Sequence, residues 1–386
     1  MAEAYDIVVA GGGLVGCAFA LALALRGREH SAALLDARPD QHADDDNRAI
    51  ALSHGSRLLL ERLGVWQSLP SVTPITEILV SQQGGFGRAE LTAAEARVPA
   101  LGYVVGYTAL QRTLMSALAT SEVDVLREAI VDRVNGGADS AMVSLQAAGQ
   151  TRHIVARLVV IAEGGANLAL SNVKTRDYRQ SAVICNVRSE RPHLNRAYER
   201  FTPEGPLALL PNGNELSLIW TAEHGHAQEL ATLDDAGFCA RLRSTFGAAL
   251  GGFSAPYSRE VFPLTLKYAA QPVASRSVLI GNAAQTLHPV AGQGFNLGLR
   301  DAWELAQAIA SQGDCDPGNA TMLNHYCSQR RFDRTATILF TDSLIRLFSK
   351  DNRLMSLLRG CGLAALSGIP PMKNFLTRRT MFSARG

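Results

Sequence analysis

The sequence predicts an α/β protein: a Rossmann-like domain of parallel strands, an inserted domain of mixed sheet, and a C-terminal helical segment. Three observations predict it. Short apolar runs, at Ile7–Val9 and at Val278–Ile280, end in glycine-rich turns that open helices, the pattern of buried parallel strands. Between them, strand-like stretches recur over 182–187 and 206–220, enough for a second sheet. From residue 340 onward the chain turns basic, with apolar residues interleaved at helical spacing.

The first turn reads Asp6-Ile-Val-Val-Ala-Gly11-Gly-Gly13-Leu-Val-Gly16. Gly11, Gly13 and Gly16 fit G-x-G-x-x-G, whose glycines allow a tight turn, close approach of a pyrophosphate, and close packing of helix on strand. The helix is expected from about Leu14 to Leu25, with its N-terminal N–H groups offered to phosphate. A second strand, Ala32–Leu35, ends in Asp36, 20 residues past Gly16, where a carboxylate accepts ribose hydroxyls. The alternative is a glycine turn without a ligand and a solvated Asp36; strand, glycines, helix, strand and acid together favour a dinucleotide.

The acidic loop from Asp40 to Asp46 reads as a solvated turn. Arg48 opens an apolar stretch leading to a helix over Ser53–Leu63 and is either a cation near the ligand or the ion-pair partner of that loop. Strands with glycine turns fill Ile75 to Arg97. A helix follows over Tyr107–Ala119, with Leu110, Leu114 and Leu118 on one face. Gln111, in its first turn, either reaches a phosphate or sugar chain of the ligand or is solvated. Short strands are expected at Val123–Leu126, Ile130–Val134, Met142–Leu145, Ile154 and Leu158–Ile161, the last running into Glu163 and Gly164. A helix is expected over Thr232–Phe246.

The second turn reads Gly281-Asn-Ala-Ala-Gln-Thr-Leu-His288-Pro289-Val-Ala-Gly292-Gln-Gly294-Phe-Asn296-Leu-Gly298. Asn282 is able to bond a ribose or ribityl hydroxyl, and Gly292, Gly294 and Gly298 permit close backbone approach. A helix from about Gly294 to Ser311 would aim its N-terminus at the ligand, where negative charge on a reduced flavin is stabilised. Pro289 fixes the backbone beside such a ring; His288 either faces the ring or is a loop histidine. Gln293, Phe295 and Asn296 belong to the same turn and count with the cofactor-binding set. Two glycine segments 270 residues apart imply a ligand that spans the domain, which favours FAD over NAD. The division that follows is 1–72, 97–175 and 265–335 for the FAD-binding domain, 73–96 and 176–264 for the substrate domain, and 336–386 for the helical segment.

Composition excludes other classes. The 386 residues are 47% hydrophobic and 19% charged, with net charge +2, which argues against a general nucleic-acid binder. No apolar stretch reaches bilayer length, and no basic n-region precedes Leu14, so a cytoplasmic location is expected. The six cysteines are scattered without CxxC or zinc spacing, so no disulfide and no metal site is expected; Cys17 reads as a core residue. Residues 340–386 carry eight Lys/Arg against two acids. They form either a helical cap or a basic amphipathic surface on an anionic membrane, and the same face suits a protein partner in a biosynthetic complex or a homo-oligomer.

The chain resembles the single-component FAD-dependent aromatic hydroxylases, most of all the 2-octaprenyl-6-methoxyphenol hydroxylases of the ubiquinone-biosynthesis branch. Four stretches carry the likeness: Gly11–Gly16, Arg48–Ser53, Ala197–Pro206 with Leu209–Pro211, and Gly281–Asp301. Asn282 stands where most flavin hydroxylases have Asp, as in this branch. Where the family has Asp-Gly-x-x-Ser-x-x-Arg, this chain has Glu163-Gly-Gly-Ala-Asn167-Leu-Ala-Leu170. The resemblance implies FAD held by Gly11, Gly13, Gly16, Asp36, Arg48, Gln111, Glu163, Asn282 and Gly292–Asn296, with His288 and Pro289 beside the ring. It implies that NAD(P)H, docking transiently, reduces the flavin, that O2 then forms a C4a-hydroperoxide, and that one oxygen passes to a prenylated phenol lying at the inner membrane. The competing readings are an FAD-dependent lipid reductase or oxidase, and an FAD-binding assembly subunit of a ubiquinone-biosynthesis complex.

Overall fold

The computed structural model describes residues 3–27, 30–39, 46–163, 172–289, 292–348 and 353–382. Residues 40–45 of the acidic loop and Gly164–Leu170 of the Glu163 segment lie outside the described residues. In chain order the first elements are β1 (Glu3–Ala10), α1 (Leu14–Ala24), β2 (Ala32–Leu35), β3 (Ala49–Ser53), α2 (His54–Arg62), β4 (Thr73–Ile75), β5 (Glu77–Gln82), β6 (Arg88–Thr92), α3 (Ala93–Ala96), β7 (Gly102–Gly106) and α4 (Tyr107–Leu118). There follow β8 (Asp124–Leu126), β9 (Ala129–Gly136), β10 (Ala141–Ala147), β11 (Gln150–Ile161), β12 (Val173–Ser189), β13 (Arg196–Thr202), β14 (Gly205–Asn212), β15 (Glu215–Glu223), α5 (His224–Thr232) and α6 (Asp235–Phe246). The chain closes with β16 (Phe253–Ala269), β17 (Val273–Ala274), β18 (Ser277–Leu279), β19 (Gln285–Thr286), α7 (Gln293–Ala310), α8 (Ala320–Phe348), α9 (Arg353–Gly368) and α10 (Pro370–Phe382).

The first sheet runs β17-β18-β11-β1-β2-β8, with β10 and β9 attached at β11. Its centre, β18-β11-β1-β2-β8, is parallel. Side chains alternate along β1 as a strand demands: Ile7 and Val9 enter the core under α1, α4 and α7, while Val8 and Ala10 enter the core on the other face. Helix α1 is apolar nearly all round and buried from Cys17 to Leu23, as a helix packed on several sides must be. A side chain at Gly16 would run into the Gly11 carbonyl, so the glycine is what lets α1 start hard against β1.

The second sheet runs β19-β16-β12-β15-β14-β13-β5-β6. One face packs on α5 and α6 through Tyr198, Leu209, Leu218, Trp220, Phe238 and Leu242; the other turns toward the small third sheet, β3-β7-β4. Strands β12 and β16 are each 17 residues long, and the divisions placed after 175 and 264 fall inside them. The division before 336 falls inside α8, which runs unbroken for 29 residues.

Two expectations are corrected. Ile154 and Leu158–Ile161 belong to one strand, β11: its first half pairs antiparallel with β10 and its last residues pair parallel with β18, so the two halves carry different patterns. The helix expected over Thr232–Phe246 starts later, at Asp235, because Asp234 accepts a hydrogen bond from Gly237 N–H at 2.9 Å and caps it, an N-cap by the usual chemistry; a separate helix, α5, precedes it. Helix α5 buries only Ala227 and Leu230, too few for a periodic signal.

A buried ionic network fixes the second glycine turn to the last domain helices. Arg330 on α8 donates to Asp301 on α7 at 2.9 Å and to Asp333 at 2.9 Å, and it reaches Glu304 at 3.1 Å. Asp301 in turn accepts from Gln285 Nε2 at 2.7 Å and from Gly281 N–H at 3.3 Å. Arg330→Met leaves Asp301 buried without its cation, while Arg300 still holds Asp333 at 3.1 Å, and should cost about 3–5 kcal/mol. Chemical denaturation of the apoprotein checks it; a loss below about 1 kcal/mol would remove the network from the frame.

A candidate dinucleotide-binding active site

The site lies beyond the carboxyl ends of the parallel strands, where open α/β sheets bind ligands. Its anchor is one carbonyl. Gly12 O accepts from Gln111 Nε2 at 2.6 Å, from Arg38 at 2.7 Å and from Cys17 Sγ at 3.0 Å. These donors come from α4, from the segment after β2 and from α1. With the Gly12–Gly13 peptide trans, as all described peptides are, the Gly13 N–H points the opposite way. Gly13 caps α1 with no side-chain acceptor, and the space beside it is open. The first N–H groups of α1 therefore stand toward open space, ready for an anion.

Gln111 is buried, and while its amide nitrogen holds Gly12, its Oε1 has no hydrogen-bond partner among the described residues. A buried acceptor without a donor is costly, and a ligand hydroxyl would satisfy it. Of the two readings of Gln111, the solvated one is excluded. Cys17 is core as expected; burial pushes its thiol up to about 12.

Asp36 and Glu163 border the same turn. A side chain at Gly12 would fall 2.5 Å from the Asp36 carboxylate, and one at Gly11 would fall 2.8 Å from Glu163 Cγ. Burial first, and then the Asp36 charge, raise the Glu163 carboxyl above its usual range. Asp36 is buried and accepts from Arg38 Nε at 3.1 Å and from Arg127 at 3.4 Å. Neither arginine was among the candidates. Arg38 has a weak sequence signal, two residues beyond the acid; Arg127 has none, because only the pairing of β2 with β8 brings it near.

The second glycine turn joins this site through one side chain, Val15 in the first turn of α1. A side chain at Gly281 would lie 2.9 Å from Val15 Cγ1, and one at Gly298 2.8 Å from Val15 Cγ2. Both glycines are needed for that approach, and it sets α7 alongside α1. Gly292 caps α7 in the left-handed conformation, φ 59°, again without a side-chain acceptor, and the space beside Gly294 is open. The structure thus brings together two uncapped helix starts from opposite ends of the chain.

The remaining candidates take different places. Asn296 spends its side chain on the protein, accepting from Ser53 N–H at 2.8 Å and donating to Ala51 O at 2.9 Å and Gly292 O at 2.6 Å; it is a strut that ties the loop to β3. Arg48 forms the ion pair, binding Asp46 at 2.8 and 2.5 Å, with the rings of Tyr107 and Phe262 each 5.2 Å away. Gln293 is buried, Phe295 is half-buried against the core under α1, Asn282 is exposed, and Pro289 is half-buried. His288 is buried, 5.5 Å edge-on from Tyr178, and burial drops its pKa to about 4, so it is neutral at pH 7. Among the described residues no cluster suits a metal ion.

These residues fit an adenine dinucleotide: two uncapped helix starts facing open space, a buried acceptor lacking a donor, and an acid at the end of β2. Comparison with known proteins agrees. The family described as FAD binding domain matches residues 4–339. The ubiquinone hydroxylase UbiL of Rhodospirillum rubrum is 34% identical over 97% of this chain and 89% of its own. The human ubiquinone biosynthesis monooxygenase COQ6, mitochondrial, is 30% identical over 96% of this chain and 91% of its own. In fold, the chain is similar to p-nitrophenol 4-monooxygenase PnpA of Pseudomonas putida, with TM-score 0.80 and 15% identity over the whole of both chains.

Two measurements test the site. Gln111→Leu removes one donor to Gly12 and the buried acceptor, and should weaken FAD binding roughly tenfold in a titration of the apoprotein; unchanged affinity would exclude Gln111 from the ligand. His288 prefers the neutral form when folded, so below pH 6.5 the unfolded chain takes up a proton that the folded chain does not. Its contribution is present above pH 6.5 and lost toward pH 4. Wild-type protein should lose stability faster than His288→Gln across that window, by an amount of order 3 kcal/mol in full, read from denaturation curves at each pH.

Proposed function

Because the chain belongs to the FAD-dependent aromatic hydroxylases, in their ubiquinone-biosynthesis branch, we propose that it hydroxylates the ring of a prenylated phenol. It is an FAD-dependent monooxygenase, with FAD as cofactor and NAD(P)H as co-substrate. The observation that carries the proposal is the joining of two uncapped helix starts at Val15.

When bound, FAD supplies the two-electron chemistry and the activation of O2. This chain's residues hold and enclose it. Gly13 and the start of α1 take the pyrophosphate; Asp36, with Arg38 beside it, takes the adenosine end; Gln111 Oε1 accepts from a ligand hydroxyl. Gln293 and Gly294, opening α7, stabilise negative charge at the far end. His288, neutral at pH 7, and Pro289 border that end. The second sheet keeps water from the ring to be oxidised and orients it.

A second, independent observation concerns the C-terminal helices. Helix α10 packs on α2, with Met381 buried and Phe382 edge-on to His54 at 5.5 Å, so the segment is a cap. Yet Leu357, Ile369, Met372 and Phe375 are exposed on α9, on α10 and in the turn between them, in a stretch rich in Lys and Arg. We read this face as resting on an anionic membrane where a prenylated substrate lies. No described helix is long and apolar enough to cross a membrane.

Stopped-flow absorbance with NADPH and a short-chain prenylphenol tests the reaction. Bleaching of the flavin band, faster with the phenol present, followed by hydroxylated product on adding O2, is expected. O2 uptake yielding only peroxide would favour an oxidase, NADPH oxidation without O2 uptake a reductase, and a flavin that NADPH cannot reduce an assembly subunit. For the membrane face, Leu357→Asp with Phe375→Asp should reduce co-sedimentation with anionic liposomes several-fold and leave binding to neutral liposomes as it is; equal sedimentation overturns that reading.

A further inference from the structure

Five strand pairings align six residues in one row across the second sheet: Val80 beside Glu199, Glu199 beside Ala208, Ala208 beside Ile219, Ile219 beside Ile184, and Ile184 beside Glu260. Paired residues share a face. The sequence neighbours of four of these, Tyr198, Leu209, Leu218 and Cys185, lie in the core under α5 and α6, so the row points the other way. Ile184 and Ile219 are half-buried, as apolar side chains lining a cleft would be, while Val80 packs on α8 and α9. Glu260, at the far edge, is exposed. Within the row, Glu199 is the one ionisable group that is not at the edge.

Along β13, Glu199 sits between two packed contacts on the same face. Ala197 packs with Ile75, Val104, Ala49 and Leu210, against the small third sheet. Phe201 packs with Ile345 of α8. The third sheet also reaches the second glycine turn, where Ala51 of β3 lies against Gly292. Farther along the face, Phe262 stands 5.2 Å from the Arg48 guanidinium at the head of β3. The face around Glu199 is therefore bounded by the third sheet on the glycine-turn side and by α8 on the other. Glu199 Oε1 is shielded from solvent and has no hydrogen-bond partner among the described residues. Its neighbour Arg200 is turned to the opposite face, where it donates to Thr245 O at 3.0 Å.

We propose that Glu199 is the residue that recognises the substrate's ring hydroxyl, its carboxylate accepting a hydrogen bond from the phenol while the apolar row beside it takes the ring and the start of the prenyl chain. The inference rests on the phenol-hydroxylase reading above. A shielded carboxylate oxygen without a donor is costly, and a phenolic O–H supplies the missing donor as a short, charge-assisted bond. A site built to bond a hydroxyl also rejects an analogue that lacks it, and electron density pushed toward the phenol oxygen favours attack on the ring. Burial alone pushes the Glu199 carboxyl up to about 7, as expected of an acid in an apolar cleft.

The test is binding of a dimethylallyl-substituted phenol and of its O-methyl ether to the FAD-loaded protein, followed by perturbation of the flavin spectrum. Wild type should prefer the phenol tenfold or more. Glu199→Leu should abolish that preference by weakening the phenol only, and Glu199→Gln should retain part of it. A structural role predicts a lower melting temperature for Glu199→Leu; the proposal predicts one equal to or above that of wild type, since an unsatisfied carboxyl is removed. Undiminished preference in Glu199→Leu overturns the assignment and leaves the hydroxylase reading intact. A wild type that binds and hydroxylates neither compound overturns both.

Discussion

The contact on which the rest of this structure depends is that of Val15 with Gly281 and Gly298. The side chain in the first turn of α1 is gripped by the turn after β18 and by the flank of α7, and any side chain at either glycine would force them apart. Because of that grip, two helix starts that are far apart in the chain belong to helices packed side by side, each with open space beside its first glycine. Each lacks a capping side chain, so each has N–H groups to offer. A ligand with negative charge at separated points answers that arrangement better than any protein group nearby.

Around this joint the polar groups are divided between holding and offering. The Gly12 carbonyl takes three donors, which turns the partner N–H of the same peptide outward. Asn296 ties the second turn to β3 with both of its polar atoms, and Asp301 ties it to Arg330. What remains is offered: the helix starts, and Gln111 Oε1. Glu163 and Asp36 raise a question of charge, since two acids border one glycine turn. Arg38 and Arg127 balance it at Asp36, while Glu163 carries a raised pKa.

The second sheet divides its two faces by the same logic. One is sealed by α5 and α6 and does the work of stability. The other carries the row of Glu199, apolar but for Glu199 itself and Glu260 at the edge, flanked by buried polar groups at Ser217, Asn186 and Thr221. At its margins it rests on the third sheet and on α8. Helices α9 and α10 continue from there and leave apolar side chains exposed, a surface with no purpose in the core.

By itself the sequence determined the parallel sheet, the two glycine turns, the helices they open and the acid after β2. These are local: glycine spacing, β-branched runs and the 3.6-residue repeat are read within a few residues of one another. It also held two candidates, Arg48 and Gln111, between alternatives that only contacts separate: Arg48 met Asp46, and Gln111 met Gly12. The rest was decided in three dimensions. Arg127 reaches Asp36 because β8 lies beside β2. The two patterns in β11 are one strand because it has a different partner at each end. Glu199 is an ordinary residue in an ordinary run until the registers of six strands set it in a row of apolar neighbours. Register is a property of pairs distant in sequence, so no single segment of the chain records it.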